Sequence, residues 1–145
     1  MMRKHYFLLF SICAATLFSC ENQSNRKQLK PVLIDAASLR SIKDSAKTHL
    51  INLITSIKIN GGDNKDFNYT VKYQSGGYHQ WARIFQMQND SFKCIVSMPT
   101  DKGSTLKFGD TVLLSQDQVE DWTVENKSRG NKFGDYTQEY IKAKQ

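Results

Sequence analysis

The spacing of apolar residues changes once along the chain, from a helical period to a strand period. Between residues 35 and 62 the apolar positions recur every three or four residues, which is the spacing of one face of an α-helix. Asp35 or Ser38 is suited to cap the start, and Gly61 and Gly62 are suited to end the helix. The stripe predicts one amphipathic helix, and its members are Leu39, Ile42, Ala46, Leu50, Leu53, Ile54 and Ile57.

Alternating apolar and polar positions then predict about five antiparallel strands. Three runs show the alternation, and the residues expected to share a face within each run are Phe67, Tyr69, Val71 and Tyr73, then Trp81, Phe85 and Met87, then Phe92, Cys94, Val96 and Met98. Two more strands are expected around Leu114 and Trp122. Residues 126–135 are rich in turn formers and are expected to form a loop, and residues 136–145 to form a short helix or an edge strand.

The expected fold class is α+β, with one N-terminal amphipathic helix packed on a curved antiparallel sheet of about five strands. A sheet with one apolar face needs a cover, and the helical stripe can provide it. The pattern leaves open whether the sheet curls into a half-barrel. Cys94 falls on an apolar face of its strand, so it is expected to be a small core residue.

The first twenty residues have the order of an export signal. A basic start, "MMRKH", precedes the apolar run "YFLLFSICAATLF", which is too short to span a bilayer as a stable helix. Leu17-Phe18-Ser19-Cys20 resembles the lipobox of bacterial lipoproteins. The resemblance implies that Cys20 receives a diacylglycerol and becomes the new N-terminus. The alternative is an ordinary signal peptide followed by a coincidental cysteine.

The chain therefore divides into three predicted parts. Residues 1–19 are expected to be a lipoprotein signal peptide, residues 20–33 the lipidated cysteine and a flexible tether, and residues 34–145 a single α+β domain. Such a protein would be anchored by lipid in a bacterial cell envelope. Glu21 after the cysteine gives no obvious inner-membrane retention signal, which favours the outer membrane over the inner membrane.

Charge and composition narrow the range of partners. The net charge is +6, and +4 remains without residues 1–19, because Arg3 and Lys4 are the charged residues of that segment. A mild positive charge suits an anionic lipid surface. No basic stripe or aromatic-basic motif points to nucleic acid. The three cysteines and three histidines lack metal-ligand spacing, so neither a metal nor a cofactor is expected. The domain is expected to be monomeric and to bind an unknown envelope protein or peptide.

Four short motifs, "YHQW", "MP", "FGDTVLLSQDQVEDW" and "FGDYT", occur in this order and resemble one bacterial family. This is the domain of unknown function 2314, typified by the YegJ-like proteins, with the approximate pattern E-H-x-W, N-x-P, G-D-x-V, I-x-D-W and G-G-Y-T. The matching residues are His79, Trp81, Pro99, Gly109, Asp110, Val112, Asp121, Trp122, Gly134, Tyr136 and Thr137. The departures are Tyr78 for the acid, Ser97 for the asparagine, Val119 for the isoleucine and Asp135 for the second glycine. The resemblance implies a fold and no established activity.

The motifs also supply the candidate site residues. An acid/base site would use His79, Asp110 or Asp121. The candidate binding residues are Trp81, Trp122 and Tyr136. Structural roles are the alternative, because aspartates hold turns and tryptophans fill cores. Two functions remain open: a non-enzymatic envelope lipoprotein with a binding domain, which is favoured, and a hydrolase that uses the acid/base residues.

Overall fold

A computed structural model describes residues 32–98 and 105–145 of the protein. The predicted signal peptide, Cys20, most of the tether and Pro99 lie outside these residues. Within the described ranges, no helix has the length and apolar character needed to cross a membrane. The elements, in chain order, are α1 (Ala36–Thr48), α2 (Leu50–Asn60), β1 (Phe67–Ser75), β2 (Tyr78–Gln88), β3 (Ser91–Val96), β4 (Thr111–Ser115), β5 (Val119–Asn126), β6 (Asn131–Gly134) and α3 (Tyr136–Ala143).

The fold class is α+β, as predicted, with helices and one antiparallel sheet. In the described residues the sheet has six strands in the order β4-β3-β2-β1-β5-β6, and every neighbouring pair is antiparallel. The strands β4 and β6 are its two edges, so the sheet is open. The sequence predicted about five strands, one fewer than the six described here.

The ends of the predicted helix are confirmed. Asp35 is the N-cap, and its Oδ1 accepts a hydrogen bond of 2.7 Å from the backbone N–H of Ser38. Gly61 ends the helical segment with a φ of 81°, a conformation that costs glycine little. The apolar stripe is buried along most of its length, and its buried members are Ile42, Ala46, Leu50, Leu53, Ile54 and Ile57.

The single predicted helix is instead two helices that meet at His49. Side chains near this point bond to backbone carbonyls one turn earlier: the Thr48 hydroxyl donates to the Asp44 carbonyl, and His49 Nδ1 donates to the Ser45 carbonyl. Side-chain bonds of this kind compete with the helical ladder and bend or interrupt helices. The apolar stripe nevertheless continues from α1 to α2 on the same face, so both helices cover the sheet.

The core lies between these helices and one face of the sheet. The alternation predicted for β1 and for β3 as far as Val96 is confirmed, and the fully buried members are Tyr69, Val71, Phe92, Cys94 and Val96. Met98 lies beyond the end of β3 and is exposed, so its expected place on the buried face was wrong. Burial raises the pKa of the Cys94 thiol to about 12, so this side chain stays protonated at neutral pH and packs as an apolar residue.

Strand β2 departs from the predicted pattern. Its buried residues are Gln80, Ala82 and Ile84, so Trp81 lies on the opposite face of the sheet, away from the helices. The pairing with β3 shifts register after Ile84, and this irregularity returns Met87 to the core side. A β-bulge changes which parity faces the core, so the expectation that Trp81 and Met87 share a face was wrong.

The sixth strand lies inside the segment that was expected to be a loop. Strands β5 and β6 form a hairpin in which Asn126 pairs with Asn131. The Asn126 Oδ1 accepts hydrogen bonds from the backbone N–H groups of Ser128 and Arg129, which holds the turn. Strand β6 has four residues, three of them exposed. A strand this short and exposed gives no alternating pattern to detect in the sequence.

Candidate functional site

Asp121 is a fully buried carboxylate that caps a helix from a neighbouring strand. Its Oδ1 accepts hydrogen bonds from the backbone N–H groups of Trp122 at 2.8 Å and Tyr136 at 3.1 Å. Its Oδ2 accepts the backbone N–H and the hydroxyl of Thr137, at 2.8 and 2.6 Å. Tyr136 and Thr137 open α3, where backbone N–H groups have no partner within the helix. The carboxylate of β5 therefore supplies the cap that α3 lacks.

Trp122 connects α1 with the segment that precedes α3. Its ring is buried, and Nε1 donates a hydrogen bond of 2.8 Å to the carbonyl oxygen of Ala46 in α1. The Trp122 carbonyl oxygen accepts the N–H of Asp135 at 2.7 Å. Gly134 has a φ of 82°, and a Cβ at this position would lie 2.2 Å from the Trp122 carbonyl oxygen. Glycine is therefore required where the chain passes over Trp122.

Tyr136 packs on the same side of the sheet as Trp122. The two rings meet edge to face with centroids 5.8 Å apart, and the ring of His49 stacks on Tyr136 at 5.6 Å. Burial raises the pKa of the Tyr136 hydroxyl, and the charge of Asp121 adds to the effect. Tyr136 and Trp122 line a cavity of about 420 Å³ at the edge of the core, together with Phe67 and other residues.

His79 is engaged by a residue that the sequence did not single out. Its Nδ1 lies 2.5 Å from Oε2 of Glu120, and Lys43 of α1 donates a hydrogen bond to Oε1 of the same carboxylate. Glu120 lies where the pairing of β5 with β1 shifts register, and residues 119–124 are all buried. Because this irregularity removes the alternation, no periodic signal could have identified Glu120.

The charge of Glu120 contributes to stability. Burial by itself would raise the pKa of Glu120, but hydrogen bonds from Lys43 and His79, together with their charges, hold that pKa below its ordinary value of 4.5. A carboxyl group with a lowered pKa in the folded state stabilises the fold above its unfolded pKa. That contribution disappears as the pH falls through the folded pKa.

We therefore expect Glu120→Gln to lower the free energy of unfolding near neutral pH and to have less effect in acid. Urea unfolding of wild type and variant, followed by circular dichroism from neutral pH to below 4.5, measures the difference. The gap between the two proteins should narrow as the pH falls. A gap that is constant or widens in acid would contradict the role assigned to the carboxylate.

Asp110 holds a turn at the other side of the sheet. Its Oδ2 accepts the backbone N–H of Lys107 at 2.7 Å, and its carbonyl oxygen accepts the N–H of Val96 at 2.9 Å. Val96 belongs to a row of paired residues that crosses the sheet through Ala82 and Val71 to Trp122. Asp110 is thus four strand spacings from β5, roughly 19 Å along the sheet.

The three candidate acid/base residues therefore do not form one site. Asp121 is bonded to the start of α3, His79 to Glu120, and Asp110 to a turn next to β3. An acid/base pair must reach the same reacting atoms, within hydrogen-bond distance or through one water. The arrangement gives each residue a separate structural partner.

A pocket lies on the face of the sheet opposite α1 and α2, next to the start of α3. Its volume is about 280 Å³, and its lining includes Trp81, Thr70, Thr123, Lys132, Asp135 and Gln138. The hydroxyls of Thr70 and Thr123 are hydrogen-bonded at 2.6 Å. Lys132 Nζ lies 2.5 Å from Oδ2 of Asp135. Within the described part of the chain, Asp135 Oδ1 is buried and has no hydrogen-bond partner. We name this cavity the open-face pocket.

The described residues contain no group of three or more His, Cys, Asp or Glu side chains placed to hold a metal ion. His49 stacks on Tyr136, His79 is paired with Glu120, and Cys94 is fully buried. These two histidines and this cysteine therefore have structural contacts of their own.

Comparison with known proteins identifies the domain. Residues 54–145 match the model of a family described as an uncharacterised protein conserved in bacteria, DUF2314. The chain belongs to this family. The match begins within α2 and includes every strand and α3, which confirms the resemblance found in the sequence motifs. No curated protein and no solved structure matches the chain.

The DUF2314 motifs at the C-terminal end of this chain form one connected structural unit. Asp121 caps α3 through Tyr136 and Thr137, and Trp122 lies directly under Gly134. The pattern D-W followed by G-x-Y-T is thus explained by hydrogen bonds and by a close backbone approach. In this protein these motif residues connect β5, β6 and α3.

Proposed function

We propose that this DUF2314 protein is a lipid-anchored envelope protein whose domain binds a ligand and does not catalyse a reaction. The separate positions of His79, Asp110 and Asp121 carry this proposal. Each of these side chains is hydrogen-bonded to a different part of the fold. A hydrolase built on these residues would require them to converge.

The open-face pocket is the proposed binding site. It combines the half-buried ring of Trp81 with polar side chains from β1, β5, β6 and the start of α3. Ligand sites in proteins combine an apolar surface with a few polar groups in this way. The helices cover the other face of the sheet, so ligand binding here would leave the core packing of α1 and α2 unchanged.

The sequence of the leader supports membrane attachment. Leu17-Phe18-Ser19-Cys20 has the order of a lipobox, and residues 21–31 are mostly polar. A tether of this size, residues 20–33, would reach up to roughly 45 Å when fully extended. We place the anchored domain at a bacterial envelope membrane, with the outer membrane favoured, and propose that it acts as a monomer on an envelope component.

The anchoring proposal predicts that Cys20→Ser abolishes lipidation. Acyl chains contribute most of the membrane affinity, at about 0.8 kcal/mol per buried methylene, so the variant should also leave the membrane fraction. Metabolic labelling with a palmitate analogue, followed by fractionation, measures both effects. Cys13→Ser is the matched control, because Cys13 lies in the leader and should not carry the lipid.

Wild type and Cys13→Ser should take up the label, and Cys20→Ser should not. An unlabelled wild type, or a labelled Cys20→Ser protein, would contradict lipid anchoring through Cys20. The acid/base alternative is tested separately, by the stability of a variant without the Asp121 carboxylate. Loss of a structural carboxylate should lower the stability, whereas loss of a catalytic one should leave it unchanged or raise it.

A further inference from the structure

We infer that the open-face pocket binds a neutral saccharide and that the carboxylate of Asp135 accepts a hydrogen bond from a sugar hydroxyl. This inference rests on the proposed function and adds to it the chemical class of the ligand. Three observations support it: the unfavourable environment of Asp135, the charge balance around it, and the chemistry of the remaining lining.

Asp135 is an unfavourable residue for its position. Its backbone is in the left-handed region, with φ 61° and ψ 48°, which glycine adopts at no cost and aspartate adopts less readily. The carboxylate is also nine-tenths buried, and one of its oxygens has no partner in the described residues. Costly residues of this kind are typical of functional sites, where binding is gained at the expense of stability.

The missing partner of Asp135 must be a hydrogen-bond donor, because an ionised carboxylate only accepts. Lys132 already pairs with Oδ2 and balances the negative charge. An added cation would be repelled by Lys132, and an added anion by Asp135. A neutral ligand that carries hydrogen-bond donors therefore fits this pair best.

The rest of the lining suits the two surfaces of a sugar ring. Trp81 offers an aromatic face, on which the C–H face of a pyranose can pack. Thr70 and Thr123 share one hydrogen bond between their hydroxyls, which leaves one hydroxyl hydrogen free to meet an acceptor. Gln138 adds an amide that both donates and accepts. Saccharide hydroxyls also donate and accept, so they match these groups.

A peptide fits this surface less well than a saccharide. Extended peptides are recognised largely through rows of unpaired backbone N–H and C=O groups, as at the edge of a sheet. Thr70, Trp81 and Thr123 of the pocket lie on β1, β2 and β5, which are interior strands, and the edge strand β6 contributes the Lys132 side chain. The backbone groups of the interior strands are committed to the sheet, and the pocket offers side chains instead.

Access to the carboxylate requires a side-chain movement. Asp135 Oδ1 is shielded from water in this arrangement, whereas the Lys132 side chain is 51% exposed. The Lys132 side chain is long and half-exposed, so it can shift and open a path to Oδ1 without leaving the buried carboxylate uncompensated. The inference is that a sugar hydroxyl donates to the unpartnered Oδ1, while Lys132 keeps its charge next to Oδ2.

The test is a fluorescence titration of the full chain in a detergent without a sugar headgroup. The chain has two tryptophans, and Trp122 is buried, so a ligand in the pocket should change the emission of Trp81. The probes are N-acetylglucosamine, its β-1,4-linked tetramer and maltose, with N-acetyl-trialanine amide as the peptide probe. We expect a saturable change with at least one saccharide and none with the peptide.

Three variants connect the binding to Asp135. Asp135→Asn and Asp135→Gly should each weaken saccharide binding about tenfold or more, because a hydrogen bond to a charged group is lost. Asp135→Gly should also melt at the same temperature as wild type or higher, because the backbone strain is removed. Asp63→Asn is the matched control: Asp63 is an exposed aspartate paired with Arg83, and its variant should bind like wild type.

Several results would overturn the inference. These are no saturable change with any saccharide, equal binding by wild type and Asp135→Asn, or a clear loss of melting temperature in Asp135→Gly. Saturation by the peptide alone would refute the saccharide class and leave a binding function in place. Labelling of Cys20 does not depend on any of these results, so the two proposals can fail separately.

Discussion

Trp122→Ala should lower the free energy of unfolding by about 3–5 kcal/mol, the range measured for buried aromatic residues. The ring is 2% exposed and lies between α1 and the segment that begins α3. Truncation would remove the packing under Gly134 and would leave the Ala46 carbonyl oxygen without its indole donor. A buried acceptor without a partner adds to the loss.

Trp81→Ala is the matched control for this prediction. It removes a side chain of the same size, but Trp81 is half-buried and lies on the face opposite the helices. Urea unfolding curves of the three proteins give the comparison, and the loss for Trp81→Ala should be clearly the smaller. Equal losses for the two variants would contradict the assignment of Trp122 to the core and of Trp81 to the open face.

Asp121→Asn should also destabilise the protein by several kcal/mol. The carboxylate accepts three backbone N–H groups and one hydroxyl, and each buried donor left without a partner costs about 1–3 kcal/mol. Asparagine has the same shape as aspartate, but an NH₂ group replaces one of the two carboxylate oxygens. The donors that bonded to that oxygen then face another donor and lose their acceptor.

A catalytic carboxylate predicts the opposite result. Active-site residues are often unfavourable for the fold, so that replacing them leaves stability unchanged or raises it. Thermal unfolding of wild type and Asp121→Asn therefore separates the two roles without knowledge of a substrate. An equal or higher melting temperature for the variant would favour the catalytic alternative.

The core could be predicted from the sequence where the periodicity was uninterrupted. The α1 and α2 stripe and the alternation in β1 and β3 report directly which side of each element faces inward. The β-bulges after Ile84 and next to Glu120 break that relation. For this reason the inward face of β2 and the ion pairs of Glu120 became visible only in three dimensions. The edge strand β6 is too short and exposed to carry a pattern.

The candidate site was predictable in its residues and less so in its roles. Short motifs singled out Asp121 and Trp122. An aspartate that holds a turn, caps a helix or lines a cleft is the same residue in the sequence, so the motif does not reveal which role it has. The role of Asp121 depends on N–H groups that lie 15 and 16 residues later in the chain. Asp135 was visible only as a departure from the DUF2314 pattern, and its meaning depends on its φ angle and its unpartnered oxygen.

The proposals assign a supporting role to one set of residues in this DUF2314 domain and ligand binding to another. The D-W and G-x-Y-T residues connect β5, β6 and α3 on and behind the sheet. Asp135 lines the open-face pocket with Trp81. We therefore expect substitutions of Asp121 and Trp122 to act on stability and substitutions of Asp135 to act on ligand binding.

A double-mutant cycle between Asp121 and Thr137 tests most directly whether the motif residues hold the fold. The free energies of unfolding of wild type, Asp121→Asn, Thr137→Val and the double variant give the coupling between the carboxylate and the hydroxyl 2.6 Å away. The predicted coupling is about 1–3 kcal/mol, with Asp121→Asn strongly destabilising alone. A coupling near zero, or an Asp121→Asn protein as stable as wild type, would contradict the structural role of this carboxylate.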